Sequence, residues 1–175
     1  MRSEFEEKAI FALTQYYDSP YRLGSAFVIP NCSYFGHECD VLIISKNDYA
    51  TEIELKASLP DLKADMKKWH KHYSPHIRQL YFGLSEDIDY DRALKYIPEN
   101  AGIILFYKPQ YGKFKSQYVC RITRRPKANR TANKINDNQK RDLLRTMYFR
   151  YYNLLYKKEW EQINAQTNEP KQNNT

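Results

Sequence analysis

The order of hydrophobic and polar positions along the chain predicts an α/β domain. An apolar stripe at helical spacing indicates a first helix over residues 3–17. Apolar runs of strand length and further helical segments then alternate, separated by polar turns. A mixed central sheet of about four to six strands, flanked by helices, should result. The predicted strands are 25–29, 37–45, 51–56, 78–84, 102–107 and 116–122, and the later helices are 58–72, 89–96 and 137–163.

The strands 37–45 and 51–56 carry charged residues within apolar runs. The polar residues 46–49 between them suit a tight hairpin turn. Because alternate side chains of a strand share a face, Glu54 and Lys56 point to one side of the second strand. If the strands pair, Asp40 of the first strand reaches that same side. The hairpin therefore gathers two carboxylates and an ammonium group.

This combination suits a magnesium-dependent phosphodiesterase. Magnesium prefers oxygen ligands and usually takes one or two protein carboxylates together with phosphate oxygens and water. Asp40 and Glu54 are candidate ligands for Mg2+ or Mn2+, with the backbone carbonyl of Leu55 as a third. Lys56 would hold or activate the attacking water, or neutralise charge on the phosphate. Glu52, on the same face, is the candidate for a second metal or for replacing Glu54.

A second interpretation explains the same residues without chemistry. Lys56 could instead protect a solvated edge hairpin from pairing with another sheet. The pattern of an acidic residue, any residue and then lysine is not specific in so charged a chain. It also occurs at Glu6–Lys8, Asp61–Lys63, Asp65–Lys67 and Glu169–Lys171.

Residues 36–44 and 52–56 resemble the PD-(D/E)XK nuclease superfamily. With residues 57–65, 71–72 and 97–104, the stretch is most similar to the MmcB-like DNA-repair nucleases, and the resemblance covers about residues 1–107. It implies a restriction-endonuclease-like core in the order α-β-β-β-α-β, to which the predicted helix 137–163 adds a long C-terminal helix. It also implies that Asp40 and Glu54 bind the metal and that Lys56 is the catalytic lysine.

Two departures from the superfamily pattern are visible. Cys39 stands where the superfamily's name has proline, a residue that carries no chemistry. A Gln-xxx-Tyr motif, common in exonuclease branches, is missing from the sequence. Its absence disfavours an exonuclease that depends on DNA ends.

An acidic residue on the first helix often joins the active site in that superfamily. Glu6 is the candidate here, and Glu7 is the alternative. However, Glu6 also stands three residues after Ser3, the predicted N-cap. A capping box explains this spacing equally well.

The predicted helix 58–72 carries a second polar stripe. Asp61, Asp65 and His72 recur near helical spacing, with Lys68 between them. The stripe could face nucleic acid or assist the metal site, which makes His72 a candidate nucleic-acid contact. A solvated helix face is the favoured interpretation, since charge runs are usually that.

The charge of the chain favours an anionic partner. The formal net charge is +7, and 16 tyrosines and 8 phenylalanines offer surfaces for base stacking. The most basic stretch is 121–130, which a solvated linker would also explain. Its candidate contacts to phosphate are Arg124, Arg125, Lys127 and Arg130.

Other classes of protein are disfavoured. No apolar run reaches membrane-spanning length, and the acidic N-terminus lacks a secretory signal. Three cysteines without metal-ligand spacing indicate reduced thiols in a cytoplasmic protein and argue against zinc.

The sequence therefore predicts a metal-dependent nuclease that hydrolyses DNA phosphodiester bonds internally, in DNA repair or processing. A nuclease core over 1–125 would be followed by a basic linker and a helix packed on the core over 126–163, and by a disordered polar tail over 164–175. A non-catalytic nucleic-acid- or protein-binding module on the same fold, or a nuclease acting on RNA, remains open. A homodimer is compatible with paired cuts in two strands.

Overall fold

The computed structural model of the protein describes residues 3–17, 26–67, 74–110 and 117–167, with side chains to residue 161. The sequence of elements follows the predicted one closely. In chain order these are α1 (Glu4–Tyr17), β1 (Ala26–Cys32), β2 (Cys39–Ser45), β3 (Ala50–Lys56), α2 (Leu59–Asp65), β4 (Ile77–Ser85), α3 (Tyr90–Leu94), β5 (Gly102–Tyr107), β6 (Val119–Arg124) and α4 (Asp137–Thr167).

A six-stranded mixed sheet forms the centre of the fold, with its strands in chain order from β1 to β6. The first three strands pair antiparallel, β3, β4 and β5 pair parallel, and β6 returns antiparallel to β5. The α/β class and the order α-β-β-β-α-β are thus confirmed.

The predicted hairpin between β2 and β3 is confirmed in its turn and in its register. Asp48 has a φ of 67° in the turn, a conformation that Asp tolerates well, and its N–H donates to the carbonyl of Ser45 at 2.9 Å. Leu42 lies opposite Glu52, and Val41 lies opposite Ile53. Even-numbered side chains of both strands therefore share one face.

Two apolar clusters cover the two faces of the sheet. On one face, Ala9 and Leu13 of α1 pack against Ile53, Leu55 and their neighbours on other strands. On the other face, Leu62 of α2 packs with Phe82 and Leu84 of β4. The even-numbered residues of β3 lie on this second face, beside the apolar cluster that α2 covers.

Gly83 marks a close approach within the first cluster. A Cβ atom added to Gly83 would lie 2.7 Å from Phe106 Cε2 and 2.9 Å from Leu55 Cδ2. Because the Phe106 ring is completely buried, it cannot move aside without disturbing its neighbours. We expect Gly83→Ala to lower the free energy of unfolding by about 1–3 kcal/mol. Urea denaturation measures this, and an undiminished stability would contradict the close packing.

Residues 126–136 belong to the sheet unit. The chain divides into compact units at 1–136 and 137–175, whereas the sequence placed the end of the core at residue 125. The reason is backbone hydrogen bonding, which a reading of charge alone does not reveal. Four N–H groups of this segment donate to carbonyls of the sheet unit at 2.8 Å each: Lys127 to Asn100, Asn129 to Arg78, Asn133 to Pro75, and Ile135 to Asp48.

The helix α4 begins at the predicted Asp137 and continues to Thr167, four residues beyond the predicted end. Leu143 of its predicted apolar face is buried, but Tyr151 and Leu154 are 62% and 67% exposed. Packing of this helix on the core stays a prediction. Across the described helices, none combines the length and the apolar character that crossing a membrane requires.

Candidate active site

The charged residues of β3 are buried in the middle of the sheet. Glu52, Glu54 and Lys56 are exposed by only 0%, 1% and 3%. Strand β3 has neighbours on both sides, β2 and β4. The solvated edge hairpin is therefore the wrong interpretation, because these side chains are neither at an edge nor in water. Burial of so many charges requires specific compensation.

Strands β2 and β3 separate where the site begins. Their backbone pairing extends from the pair Ile44 and Ala50 to the pair Val41 and Ile53. Both strands continue beyond this last pair. Beyond it, Asp40 Oδ2 accepts a hydrogen bond from the backbone N–H of Leu55 at 2.7 Å. Since the N–H and C=O groups of one strand residue point to the same side, the Leu55 carbonyl faces this gap as well.

The Lys56 ammonium lies among three carboxylates. Its Nζ atom is 3.1 Å from Glu54 Oε2, 3.1 Å from Asp65 Oδ1 and 3.9 Å from Asp40 Oδ2. The side chains of Lys56, Glu54 and Asp65 are at most 4% exposed, whereas that of Asp40 is 34% exposed. Asp40 is thus the side of the cluster that faces solvent. The predicted convergence of Asp40, Glu54 and Lys56 is observed.

Asp65 belongs to this cluster, contrary to the favoured interpretation of its helix as a solvated face. Ser58 caps the N-terminus of α2 by accepting from the Asp61 N–H at 3.3 Å, and this fixes where the helix starts. Leu62 then turns into the apolar cluster, and Asp65, three residues later, lies on the same side. The spacing of three residues from Leu62 was the signal in the sequence that Asp65 lies on the buried face of α2. The Lys56 ammonium stabilises the buried Asp65 carboxylate. Asp61 is exposed as predicted.

Glu52 has a different partner. Its Oε2 atom lies 2.9 Å from His37 Nε2, and both side chains are at most 5% exposed. His37 follows Gly36, whose φ of +88° turns the chain at this point. No sequence pattern singled out His37, since its contact depends on how the loop folds over the sheet. A role of Glu52 at a second metal stays a prediction.

The Lys56 ammonium stays protonated at neutral pH. Burial lowers its pKa, but the negative charges of Glu54, Asp65 and Asp40 outweigh burial and raise the pKa to about 12. Lys56 is therefore suited to stabilising negative charge or donating a hydrogen bond. It is not suited to removing a proton from water.

At the Asp40 carboxyl, the influences that disfavour the charged form outweigh those that favour it. Burial and the charge of Glu54 raise its pKa to about 6, against the lowering effects of Lys56 and the Leu55 N–H. Glu6 adds a smaller increase. A cation bound beside Asp40 would favour its charged form.

The donor set fits a hard divalent ion. Asp40, Glu54 and the Leu55 carbonyl supply oxygen, which Mg2+ and Mn2+ prefer, and such ions complete their coordination with water. Within the described ranges, no three His, Cys, Asp or Glu side chains are grouped so that they could hold a metal ion. A site with two carboxylates is compatible with Mg2+, which usually binds through one or two of them.

Metal affinity at this site should depend on pH. Because Asp40 must ionise to bind a cation, we expect Mn2+ affinity to fall by up to about tenfold per pH unit below about pH 6. In the metal-free protein, the folded state should become more stable as the pH falls from about 6 to about 4. The reason is that the pKa of Asp40 in the folded state lies above its ordinary value of 3.8. Calorimetric titration at pH 5, 6 and 7 measures the affinity. A constant affinity would contradict a role for Asp40.

Glu6 forms the capping box that its spacing also predicted. The Ser3 N–H donates to Glu6 Oε2 at 3.1 Å, and the Glu6 N–H donates to Ser3 Oγ at 3.2 Å. Glu6 is nevertheless close enough to Asp40 to influence its pKa. Its catalytic role stays a prediction, and its alternative, Glu7, is exposed. His72 and Lys68 lie outside the described residues.

The predicted phosphate contacts do not join this cluster. Arg124 pairs with Ile103 near the start of β5, whereas Lys56 lies at the end of the parallel strand β3. Arg124 donates through Nε to the Ala101 carbonyl at 2.9 Å and through Nη2 to that of Pro98 at 2.8 Å, so its guanidinium holds a loop. Arg125, Lys127 and Arg130 are exposed in the segment that follows. Contact with nucleic acid stays a prediction for all four.

Comparison with known proteins gives the fold and the family. None of the curated proteins compared is a significant match. A solved structure described as SPO1766 protein of unknown function, from Silicibacter pomeroyi, aligns over 98% of this chain and 99% of its own, with a TM-score of 0.55 and 13% identity. That similarity concerns the fold alone. The family model described as DNA repair protein MmcB-like matches residues 26–149, from β1 into α4. The chain therefore belongs to the MmcB-like family of DNA repair proteins.

Proposed function

We propose that this protein is a metal-dependent nuclease that hydrolyses DNA phosphodiester bonds internally. One observation carries the proposal: a buried lysine lies among three carboxylates at a point where two strands separate and Asp40 remains accessible. Membership of a DNA repair family supports DNA as the substrate.

Asp40, Glu54 and the Leu55 carbonyl would hold Mg2+ or Mn2+. A divalent ion bound there lowers the pKa of water and stabilises charge on phosphate oxygens. The surrounding protein charge makes such an ion necessary. Asp40, Glu54 and Asp65 outnumber Lys56, so the cluster alone would repel a DNA phosphate.

Lys56 would stabilise the negative charge that develops on the phosphate. Its two contacts at 3.1 Å, to Glu54 and Asp65, fix the ammonium within the cluster. A charge that is held in place before the reaction needs no reorganisation during it. Asp65 would act by positioning Lys56.

The burial of these charges supports catalysis over simple binding. Removing ionised groups from water is costly even when they are paired. A module that only binds DNA works through exposed cations that contact phosphates. An ammonium that is 4% exposed at its side chain and surrounded by carboxylates is poorly suited to that task.

Incubation of the protein with supercoiled plasmid in Mg2+, Mn2+ or EDTA tests the proposal. We expect nicked or linear plasmid with either metal and none in EDTA. Parallel reactions with single-stranded DNA and RNA compare the substrates. DNA binding that persists in EDTA, without cleavage in any metal, would indicate a binding module, and cleavage confined to RNA would indicate a ribonuclease.

A further inference from the structure

We infer that a second binding site, for phosphate groups of a nucleic-acid backbone, lies at the end of the sheet where β4 begins. A cavity of about 310 Å³ is present there. Residues from the β2–β3 turn, from β3 and β4, and from the segment after β6 line it. They are Ser45, Asn47, Tyr49, Thr51, Arg78, Gln79 and Ala128.

Two cations contact the ring of Tyr49: Arg78, which also lines the cavity, and Lys134, which is not a lining residue. The Arg78 guanidinium lies 3.9 Å from the centre of the Tyr49 ring, and the Lys134 ammonium lies 5.4 Å from it. Among the described side chains, no carboxylate forms an ion pair with either cation. An aromatic face orients a cation without neutralising it. Both charges therefore remain available to an anion, for which Arg is well suited.

The uncharged lining suits phosphate oxygens as well. Ser45 contributes a hydroxyl group, and Asn47 and Gln79 contribute amides, whereas the Thr51 hydroxyl is directed at Gln79. Thr51 Oγ1 donates to Gln79 Oε1 at 3.3 Å, which orients the Gln79 amide. Hydroxyl and amide donors commonly supplement Arg and Lys in contacts with the nucleic-acid backbone.

Positive charge predominates in the chain segments that line the cavity or adjoin its lining residues. Ala128, which lines it, lies between Lys127 and Asn129, and the Asn129 N–H donates to the Arg78 carbonyl at 2.8 Å. The basic segment is thus attached beside the cavity. Asp48 and Glu99 are the acidic residues of the segments 46–49, 78–79, 98–101 and 124–135. The cations of these segments are Lys46, Arg78, Arg124, Arg125, Lys127, Arg130 and Lys134.

This site is separate from the carboxylate cluster. Thr51 lines the cavity and Lys56 belongs to the cluster, and the five residue steps from one to the other along β3 span about 17 Å. Their odd and even positions also place them on opposite faces of the sheet. The cavity therefore contacts a different phosphate from the one at Lys56. This inference does not depend on cleavage, because it concerns binding alone.

Binding of the full-length protein to a labelled DNA duplex in EDTA tests the inference. Fluorescence anisotropy would be measured at several salt concentrations for the wild type, for Lys134→Gln and for Arg78→Gln/Lys134→Gln. We expect the double variant to bind about tenfold more weakly, with a slope of log affinity against log salt that is smaller by about 2. The single variant Lys134→Gln should show about half of this decrease in slope.

Lys108→Gln is a matched control. Its ammonium lies 5.2 Å from the centre of the Tyr118 ring, which is close to the distance between Lys134 and the Tyr49 ring. Lys108 follows the C-terminal end of β5, whereas the cavity lies at the end of the sheet where β4 begins. We expect this variant to bind like the wild type. Arg78→Lys, which keeps the charge, should retain most of the salt slope.

Two results for the variants would overturn the inference. One is an unchanged affinity and salt slope in Lys134→Gln. The other is an equal loss in Lys108→Gln, which would indicate net charge alone. Competition with inorganic phosphate, single-stranded DNA and RNA identifies the source of the phosphate. Competition by free phosphate at low concentration but not by DNA would overturn the backbone assignment.

Discussion

Replacement of Asp40 by asparagine is expected to abolish most metal-dependent cleavage and to leave the protein folded. Asparagine keeps the shape of the side chain but loses the charge that a hard divalent ion requires. Removing partners that merely support metal ligands costs about 10–100-fold in affinity or activity. Loss of a ligand itself should therefore lower the cleavage rate at least about a hundredfold.

The fold should tolerate this change. The asparagine oxygen can still accept the Leu55 N–H, as Asp40 does at 2.7 Å. Loss of one negative charge also relieves repulsion with Glu54, which contributes to the raised pKa of Asp40. Initial rates on a labelled duplex and urea denaturation together measure both effects. Asp61→Asn, on the exposed surface of α2, is the matched control and should cleave normally.

Replacement of Lys56 by methionine is expected to destabilise the fold strongly. The change leaves Glu54 and Asp65, both 1% exposed at their side chains, without the ammonium 3.1 Å away. Removing one partner of a buried ion pair typically costs about 3–5 kcal/mol. Urea denaturation at pH 7 measures the loss. The double variant Lys56→Met/Asp65→Asn should recover part of the lost stability, because one buried negative charge is gone.

An exposed lysine provides the control for the destabilisation expected of Lys56→Met. Lys67→Met, an exposed change next to α2, should have no such effect. Equal stability of Lys56→Met and the wild type would contradict the role of Lys56 as the compensating charge.

These two results have a practical consequence for assigning the site. A Lys56 variant can lose cleavage because the chemistry is damaged or because the fold is weakened. Asp40 is 34% exposed, and an asparagine oxygen can accept the Leu55 N–H in its place. Asp40→Asn therefore separates chemistry from folding more cleanly.

The hairpin and its charged face could be predicted because they depend on local periodicity. Alternation along β3 places Glu54 and Lys56 on one side, and the polar turn fixes the register with β2. Asp40 then reaches the same side. These features follow from spacings of a few residues, and the structure confirms them.

Contacts between distant segments were not predictable in the same way. Burial of Asp65 requires the sheet to present Lys56 to α2, and the contact of His37 with Glu52 requires the turn at Gly36. The spacing from Leu62 indicates the face of α2 on which Asp65 lies but not its partner, and the contact of His37 leaves no periodic signal. Charge alone also did not indicate that the Arg124 guanidinium donates to the backbone carbonyls of Ala101 and Pro98. The side chains of Arg78 and Lys134 both contact the ring of Tyr49, although the three residues lie far apart in the sequence.

The most direct test is a time course of supercoiled plasmid with wild-type protein and Asp40→Asn, purified in parallel, in Mn2+ and in EDTA. Nicking by the wild type in Mn2+, absent in EDTA and reduced at least about a hundredfold in a folded Asp40→Asn variant, is the predicted result. Nicking by Asp40→Asn at the wild-type rate would contradict it. So would the absence of cleavage by a folded wild-type protein that has been shown to bind the metal.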